Sequence, residues 1–341
     1  MNARPDAPLR ARRTPRRERG AALLLAMLVV TLVATLAART LWQRWRAIEV
    51  ETAERTRAQA EWLLTGAADW ARLILREDAR SGGADHLGEP WCVPLQESRL
   101  SSFVAAGGGD TSGIERDAFL SGAIVDLQGR LNLTNLVEGD RISKTAQAAF
   151  TRLYRQLGLP ESEVDALAQA LLDARRANAA ATSTAPLPPE RYEDLAWLGL
   201  PAARLQQLEP FVTLLPEPTP VNVNTAPPEV LIALSEKLSP SDLPRLLQER
   251  ASAHFSTTLD PRLGPALLEA GTRGQIAVAS RYFQIRIRVR LDALTVEEVL
   301  GVRRDGLNVL PLWRTRSGGP SGTEAERALG VPEGAPQNAP E

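Results

Sequence analysis

The chain has 341 residues, enough for one large domain or two of modest size. Its net charge of −1 and charged fraction of 24% describe an ordinary globular composition and exclude a general electrostatic attraction to nucleic acid. A single cysteine excludes an intramolecular disulfide, and with only two histidines present the composition argues against a transition-metal site.

The N-terminus changes abruptly from basic to apolar. Residues 1–20 carry seven arginines against two acidic residues, and residues 21–38 form an uncharged run of eighteen. At about 1.5 Å per residue, such a helix is just long enough for a hydrocarbon core of about 30 Å. Trp42 and Trp45 suit the far interface, and the positive-inside rule places the basic leader in the cytoplasm. The sequence therefore predicts a single-pass inner-membrane protein with its C-terminal body in the periplasm, residues 21–41 forming the span.

The helix is predicted to continue beyond the membrane, over residues 42–80. No proline occurs between Ile48 and Leu75, and apolar residues recur at steps of three and four. These residues are Ala60, Leu63, Ala67, Trp70 and Ile74, with Leu64 and Ala71 beside them. We predict one helix from about Ala21 to Asp78, in which Leu63, Ala67, Trp70 and Ile74 form an interaction stripe. A secretory signal peptide is the alternative, but its apolar run would be shorter, and Thr35-Leu36-Ala37 matches its cleavage site poorly.

The middle of the chain is predicted to be an inserted helical domain. Residues 137–270 contain several stretches with helical spacing or helix-favouring composition. They are Ala146–Leu157, Glu161–Arg176, Pro201–Leu208, Pro227–Leu234, Leu243–Arg250 and Pro261–Glu269. The alanine-rich segment Asn178–Ala185 and the following Pro186–Pro189 are predicted to form a linker. The insertion separates two groups of predicted strands, in residues 81–136 and 271–316.

The strands on either side of the insertion are expected to pair. A short strand at Ala123–Leu127 precedes the insertion, and residues 281–291 (RYFQIRIRVRL) alternate strictly between apolar and polar side chains. Asp305-Gly306 predicts a hairpin turn between two further strands. We expect an antiparallel meander with one buried face, and a second face whose arginines are solvated or meet an acidic neighbour subunit. These arginines are Arg286, Arg288 and Arg290. Residues 317–341 are predicted to be disordered.

The sequence offers no credible catalytic set. His86 and His254 are isolated and predicted to lie on the surface, with no nucleophile and base arranged around them. Gly107–Gly109 precedes no helical pattern, so we interpret it as a loop and not as a phosphate-binding turn. We therefore predict that the protein is not an enzyme and holds no cofactor.

One stretch resembles a nucleic-acid-binding motif. Residues 221–234 (VNVNTAPPEVLIAL) are similar to the opening of a helix-hairpin-helix module, but Ser235–Ser241 lacks the glycines of its hairpin. Residues 221–270 carry four basic and six acidic side chains, which repel phosphate. No nucleic acid is therefore expected as a partner. A membrane-anchored DNA-uptake protein remains an alternative function, and so does a plain single-pass periplasmic scaffold.

A long N-terminal helix, half in the membrane and half docked, resembles that of type IV pilins and pseudopilins. In those proteins prepilin peptidase cuts after a glycine and the new N-terminus is methylated; Gly20-Ala21 matches that site. Most such subunits carry Glu at the fifth mature position, where its carboxylate pairs within lipid with a neighbour's amine. Here that position is Leu25, an omission typical of the type II secretion system protein K family. Asp126–Leu133 (DLQGRLNL) and Val221–Ala226 (VNVNTA) also resemble this family.

The resemblance implies an α+β fold, in which a pilin-like long N-terminal helix packs on an antiparallel sheet with a large inserted all-α domain. It also implies a minor pseudopilin at the tip of the pseudopilus, where the protein initiates assembly and caps the filament with other minor pseudopilins. The implied partners are those subunits, the inner membrane and prepilin peptidase, which would remove the cytoplasmic leader 1–20.

The resemblance does not carry a calcium site over to this chain. Family members that bind calcium have an acidic run after the first inserted helices, because calcium takes about six to eight oxygen ligands. The matching region here retains Asp173, Glu190, Glu193 and Asp194, but Arg175 and Arg176 lie among them. Too few carboxylates remain, so we expect no calcium and no other metal.

Overall fold

The computed structural model describes residues 18–106, 118–180, 187–292 and 294–320. Its first element, α1, is a helix from Glu18 to Ser81. The helix predicted over Ala21–Asp78 is confirmed and is longer at both ends. Among the described residues, α1 is the one helix long and apolar enough to cross a membrane. The chain divides after Gln59 into two compact units, which are described separately below.

The remaining elements all belong to the second unit. The other helices of the described ranges are α2 (Leu100–Ala106), α3 (Lys144–Gln156), α4 (Ser162–Ala180), α5 (Ala202–Leu208), α6 (Pro228–Leu234), α7 (Leu243–Ser252) and α8 (Gly264–Thr272). The strands there are β1 (Leu95–Arg99), β2 (Ala118–Asp126), β3 (Leu131–Asn132), β4 (Val137–Glu138), β5 (Arg141–Ile142), β6 (Val212–Thr213), β7 (Val221–Asn222), β8 (Ile276–Ala277), β9 (Tyr282–Leu291), β10 (Leu294–Asp305) and β11 (Asn308–Pro320). Short 3-10 turns connect several of them.

The main sheet joins strands that precede the inserted helices in sequence with strands that follow them. Its order is β1-β2-β9-β10-β11, and every neighbouring pair is antiparallel. Ile124 of β2 lies opposite Ile285 of β9, although the whole helical segment separates them in sequence. The backbones approach closely at Gly122, where a Cβ would lie 2.8 Å from the carbonyl oxygen of Arg286. The predicted pairing across the insertion, and with it the α+β pilin-like fold, is confirmed.

The C-terminal part of α1, from Ala60 onward, packs on this sheet. The stripe of side chains that makes this contact is rotated around the helix axis from the predicted stripe. The buried side chains are Ala60, Leu64, Ala68, Ala71 and Leu75, all in one hydrophobic cluster with the inward side chains of β2, β9 and β10. Leu63, Ala67 and Ile74 are only partly buried at the edge of that cluster, and Trp70 is 40% exposed. The face that docks on the sheet is therefore rotated from the predicted stripe, and it contains two leucines as well as three alanines. Contact between the predicted stripe and partner subunits stays a prediction.

The inserted helices form a second hydrophobic cluster. It extends from Leu131 to Ile276, somewhat beyond the predicted limits 137–270. Phe150, Leu153 and Tyr154 of α3 are buried in it, as is Leu195 in a 3-10 turn. Two very short parallel pairs, β3 with β6 and β7 with β8, connect the segments of this part. The predicted helices are confirmed in place, with shifts of a few residues at their ends.

Three boundary predictions need correction. Helix α4 continues to Ala180, so the predicted linker Asn178–Ala185 begins as helix, and residues 181–186 lie outside the described ones. The predicted disordered tail 317–341 begins as strand, because β11 runs to Pro320 and pairs with β10 there; residues 321–341 lie outside the described ones. Before the insertion the sequence predicted a strand with bounds only at Ala123–Leu127, and β1 was missed because its sequence LQESR has little apolar content.

The arginines of β9 are neither freely solvated nor left for a neighbour subunit. Each has an acidic partner within this chain, at 2.5 to 2.8 Å. The pairs are Arg286 with Glu209, Arg288 with Glu297, and Arg290 with Glu97. The expectation for this face was therefore wrong. The sequence could not show that Glu209, far away in the chain, returns to the sheet.

Candidate interaction surface

The apolar half of α1 presents one continuous hydrophobic surface. In the first unit its large apolar side chains are about half exposed or more, from Leu23 to Val50. Thr31 and Thr35 bond the carbonyls of Leu28 and Leu32 at 2.9 Å, so these hydroxyls are satisfied within the helix. Backbone and hydroxyl groups therefore need no water here, which is what a hydrocarbon environment demands.

The predicted processing residues all lie within α1. Gly20, Ala21 and Leu25 are helical and exposed, and a side chain at Gly20 would meet open space. Leu25 lies on the exposed apolar surface of the helix and is itself 63% exposed. A leucine at that position therefore suits an apolar solvent better than a carboxylate would.

An apolar groove lies beside the C-terminal part of α1, in the second unit. Its cavity volume is about 270 Å³. Ala67, Trp70 and Ile74 of the predicted interaction stripe line it, whereas Leu63 does not. Val93, which is 69% exposed, and Leu95 form the opposite side.

The base of this groove is rigid. Trp91 is 2% exposed, stacks edge-on against Phe283 with centroids 5.3 Å apart, and donates from Nε1 to Glu89 at 2.7 Å. Trp91 therefore anchors the segment between α1 and β1 on the sheet. A groove with apolar walls and a fixed base can receive apolar side chains from a partner helix.

A buried polar junction joins the body to the inserted helices. The carboxylate of Asp126, at the end of β2, accepts hydrogen bonds from the backbone N–H of Gln128 at 2.7 Å and from three side chains. Those are Asn222 at 3.1 Å, Thr225 at 2.6 Å and Ser280 at 2.6 Å. Burial raises the pKa of Asp126, and the hydroxyl and backbone donors oppose that shift.

A second cluster of buried polar side chains, centred on Arg304, extends this junction toward α1. Arg304 of β10 donates to Asp78 and to Asp85, each at 2.5 Å, and to the carbonyl of Ser280 at 2.8 Å. Burial raises the pKa of both carboxyls and acts against the charged form of Arg304, whose pKa is nevertheless raised by its two acidic partners. The end of α1, the body sheet and the insertion are thus tied by one network. Sequence reasoning missed Asp78, Asp85 and Arg304, since nothing local marks them.

The two histidines are not isolated. Their rings stack with centroids 4.0 Å apart and an angle of 11° between planes. His86 lies in the loop after α1 and His254 in the insertion, and both are half-buried. The prediction of two separate surface residues was wrong. The pair is a further contact between body and insertion, and Nδ1 of His86 is already used to accept the N–H of Gly88.

Within the described residues, two of the acids in the region corresponding to a calcium site are bound to other groups of the chain. Asp173 accepts from Gln169, and Asp194 accepts the backbone N–H groups of Glu190 and Arg191. Among the described residues, the one cluster of carboxylates close enough for a metal is elsewhere, at Asp78, Asp85 and Glu89. Arg304 donates into that cluster and supplies the positive charge that a cation would otherwise bring.

The helix-hairpin-helix-like stretch points its polar side chains inward. Asn222 and Asn224 are 0% and 1% exposed. The amide of Asn224 accepts from the backbone N–H of Phe255 at 2.8 Å and donates to its carbonyl at 2.9 Å. These asparagines organise the insertion and are not available to nucleic-acid phosphates.

The fold defines a pilin-like subunit with an inserted helical domain and an apolar groove beside its long helix. The family model described as "Type II secretion system (T2SS), protein K" matches residues 129–217, and a second model of the same description matches residues 221–276. These ranges contain the whole of VNVNTA and residues 129–133 of DLQGRLNL, and the first three residues of that motif lie just before them.

Whole-chain similarity extends to curated relatives. Type II secretion system protein K of Pseudomonas aeruginosa is 30% identical over 81% of this chain and 86% of its own length. The protein of the same name from Klebsiella pneumoniae is 28% identical over 78% of this chain and 86% of its own length. The chain belongs to the type II secretion system protein K family, a family of minor pseudopilins.

A solved structure has the same fold. A chain of the GspK-GspI-GspJ complex from the type 2 secretion system of enterotoxigenic Escherichia coli superposes with a TM-score of 0.60. The match covers 79% of this chain and 99% of that one, at 20% sequence identity. At this identity the likeness concerns the fold.

Proposed function

We propose that this minor pseudopilin occupies the tip of the pseudopilus, where it initiates assembly and caps the filament together with other minor pseudopilins. The observation that carries the proposal is the combination of Leu25 with the inserted domain. A subunit without the usual Glu lacks a partner for a preceding subunit's amine, and the first position is the one where no preceding subunit exists. The broad insertion would also prevent the chain from stacking as a repeating unit of the shaft.

The proposed partners are other minor pseudopilins of the same secretion system. Two observations support this proposal: the groove lined by Ala67, Trp70 and Ile74, and the similarity in fold to a chain of the GspK-GspI-GspJ complex. The role is one of binding, and we propose no catalysis. The body would lie in the periplasm and α1 would anchor the chain in the inner membrane.

Maturation is tested by the mass of the N-terminus. The chain is purified from cells with and without prepilin peptidase, and its intact mass is measured. We expect a start at Ala21, carrying one added methyl group, only when the peptidase is present, and no processing of Gly20→Val. A retained leader in both strains, or a start after Ala37, would contradict the proposal.

Tip location needs a second experiment. A gold label is attached to a single cysteine at Ser241→Cys, on the insertion, in a Cys92→Ser background, and sheared pseudopili are viewed by electron microscopy. We expect label at one end of each filament. Label distributed along the shaft would refute tip location while leaving the family membership intact.

A further inference from the structure

Strand β11 forms one edge of the main sheet. It has 13 residues and pairs with β10 on one side, and within the described ranges no strand pairs with its other side. Every second backbone N–H and C=O group of an edge strand points away from the sheet, so this edge can pair with a strand from another chain. The strand at the opposite edge, β1, has only five residues.

The N-terminal part of β11 is closed to such pairing. Arg72 of α1 donates to the carbonyl of Val309 through Nε at 3.0 Å and through Nη2 at 2.8 Å. Pro311 has no backbone N–H, and Leu312 is the extra residue of a bulge opposite β10. Proline and bulges protect an edge strand from pairing. The part of the edge that can receive a strand is therefore residues 314–318, which are all exposed.

Two arginines give this part of the edge a basic surface. Arg314 and Arg316 both contact the carboxylate of Glu298 on β10, which is fully buried, and Arg316 also lies 4.0 Å from Glu61 of α1. Two guanidinium groups have about ten N–H donors, whereas one carboxylate accepts about four hydrogen bonds. The side chain of Arg314 is 45% exposed. These arginines can therefore bind a further carboxylate from outside the chain.

The other face of this edge is apolar. Leu310 follows Val309, which is buried against α1, so Leu310 points to the opposite face of the sheet, where it is 45% exposed. Trp313 lies over Gly301, whose neighbours on β10 both face α1. The edge of β11 thus has arginines on the face toward α1 and apolar side chains on the other face.

These charges argue against a second copy of the chain as the partner. Arg314 and Arg316 lie two residues apart and so share one face of the strand. If two copies paired through residues 314–318, the arginines of both copies would lie together on one face, and like charges opposite one another destabilise a strand pair. A strand with acidic residues at alternate positions would instead bring carboxylates beside both arginines.

We propose that residues 314–318 pair with an extended segment of a partner protein, in which acidic and apolar residues alternate. The backbone bonds to β11 supply affinity, the acidic side chains contact Arg314 and Arg316, and the apolar ones extend the surface of Leu310 and Trp313. This edge lies at the other side of the sheet from β1 and from the groove beside α1. The proposal is therefore independent of that groove and of the tip role.

The test measures binding of a blocked, fluorescein-labelled peptide in which glutamate alternates with valine. The full-length chain in detergent is titrated into the peptide at constant ionic strength, and fluorescence anisotropy is recorded. We expect saturable binding, and a loss of affinity of at least about fivefold in Arg314→Gln, because charge-assisted hydrogen bonds are lost. Arg316 still contacts Glu298 in this variant. Arg80→Gln, which changes an exposed arginine paired with Glu77, is the control and should bind as the unmodified chain does.

Two modified peptides distinguish strand pairing from attraction between charges alone, and they need no variant of the protein. One is N-methylated at every glutamate and the other at every valine, so each lacks the N–H groups along one edge. Only one edge of an added strand faces β11, so one peptide should bind like its parent and the other should lose binding.

Four results would overturn the proposal. They are equal affinities of the two methylated peptides, equally tight binding of a peptide with lysine in place of glutamate, absence of saturable binding to the unmodified chain, and a dimer in sedimentation velocity that Arg314→Gln disrupts. The last result would assign the edge to a second copy of this chain.

Discussion

The amide of Asn222 donates to the carboxylate of Asp126 at 3.1 Å, across 96 residues of sequence. This bond connects the two motifs, DLQGRLNL and VNVNTA, that are similar to those of the protein K family. Gly129 of the first motif lies against Thr225 of the second, so closely that a Cβ would be 2.9 Å from its hydroxyl. The two motifs are therefore one structural unit, in which Asp126 is the acceptor and glycine permits the approach.

Removing that acceptor should destabilise the protein. Asp126→Ala removes the carboxylate to which the hydroxyls of Thr225 and Ser280 each donate at 2.6 Å, whereas Asn222 keeps its bonds to the carbonyl of Asp85 and the hydroxyl of Ser280. We expect a loss of about 3 kcal/mol in the free energy of unfolding. Urea unfolding of the full-length chain in detergent, followed by tryptophan fluorescence, measures it. Asp173→Ala, on the exposed face of α4, is the control and should change stability by less than about 0.5 kcal/mol. Equal effects of the two variants would contradict the role of the junction.

Local periodicity was sufficient for much of the fold. The alternation of residues 281–291 indicates which side chains of β9 face the core, and the predicted inward set from Phe283 to Leu291 is buried, although Gln284 on the other face is buried as well. The unbroken α1 was also predictable, because neither proline nor a capping pattern interrupts it. In both elements the signal depends on neighbours in sequence, which a single chain displays directly.

The parts of the fold and of the candidate site that could not be predicted depend on contacts between segments far apart in sequence. The docked face of α1 is centred on Leu64 and Ala68 and not on Ala67 and Trp70, a rotation that the broad apolar surface of this helix does not specify. Arg304 and Asp85 are ordinary charged residues in the sequence, and only the fold places them 2.5 Å apart. The groove forms only because Val93 and Leu95 fold beside α1. No periodicity in the sequence predicts that contact.

The tyrosines should titrate abnormally. Burial raises the pKa of Tyr154 and of Tyr282 to about 12, and it also raises that of Tyr192. These values in the folded chain exceed the ordinary value of 10.0. The contribution of the neutral phenols to the free energy of unfolding is therefore fully present below pH 10 and is lost as the pH rises toward about 12. Absorbance at the tyrosinate band should show little ionisation at pH 10 in the native chain and roughly half in urea.

Tyr282→Phe provides the control for that titration. The hydroxyl of Tyr282 donates to Glu217 at 2.6 Å, and this carboxylate adds to the effect of burial on its pKa. The variant should lose one of the three abnormal transitions and keep the other two. A native titration that coincides with the urea titration would show that these phenols are accessible to solvent.

The groove beside α1 should respond to a larger side chain. Ala67→Leu fills part of the cavity at the edge of the helix, where Ala67 is only partly buried, so the fold should persist. We expect binding to the other minor pseudopilins of the system to weaken by at least about tenfold, about 1.4 kcal/mol, in a pull-down titration from detergent. Ala58→Leu, at an exposed position of the same helix, is the matched control. Undiminished binding by Ala67→Leu would remove the groove from the proposed interface.

Arg304 should determine whether the protein responds to calcium. Asp78, Asp85 and Glu89 bring carboxylate oxygens within 4.8 Å of one another, an arrangement that calcium could use, but Arg304 donates to two of the three acids. Millimolar calcium chloride, compared with EDTA, should therefore shift the Tm of the unmodified chain by less than about 1 °C. In Arg304→Gln the acids lose their counter-charge, so the Tm should fall in EDTA and recover by several degrees in calcium, since a ligand that binds only the folded state stabilises it.

Magnesium and Asp173→Asn separate this cluster from the region that the family's calcium binders use. Magnesium demands a near-octahedral arrangement of ligands and dehydrates reluctantly, so it should restore Arg304→Gln less well than calcium does. Adding Asp173→Asn to Arg304→Gln should leave the recovery unchanged, because Asp173 is exposed and bound to Gln169. A calcium response of the unmodified chain that Asp173→Asn abolishes would instead show that the altered acidic region still binds the ion.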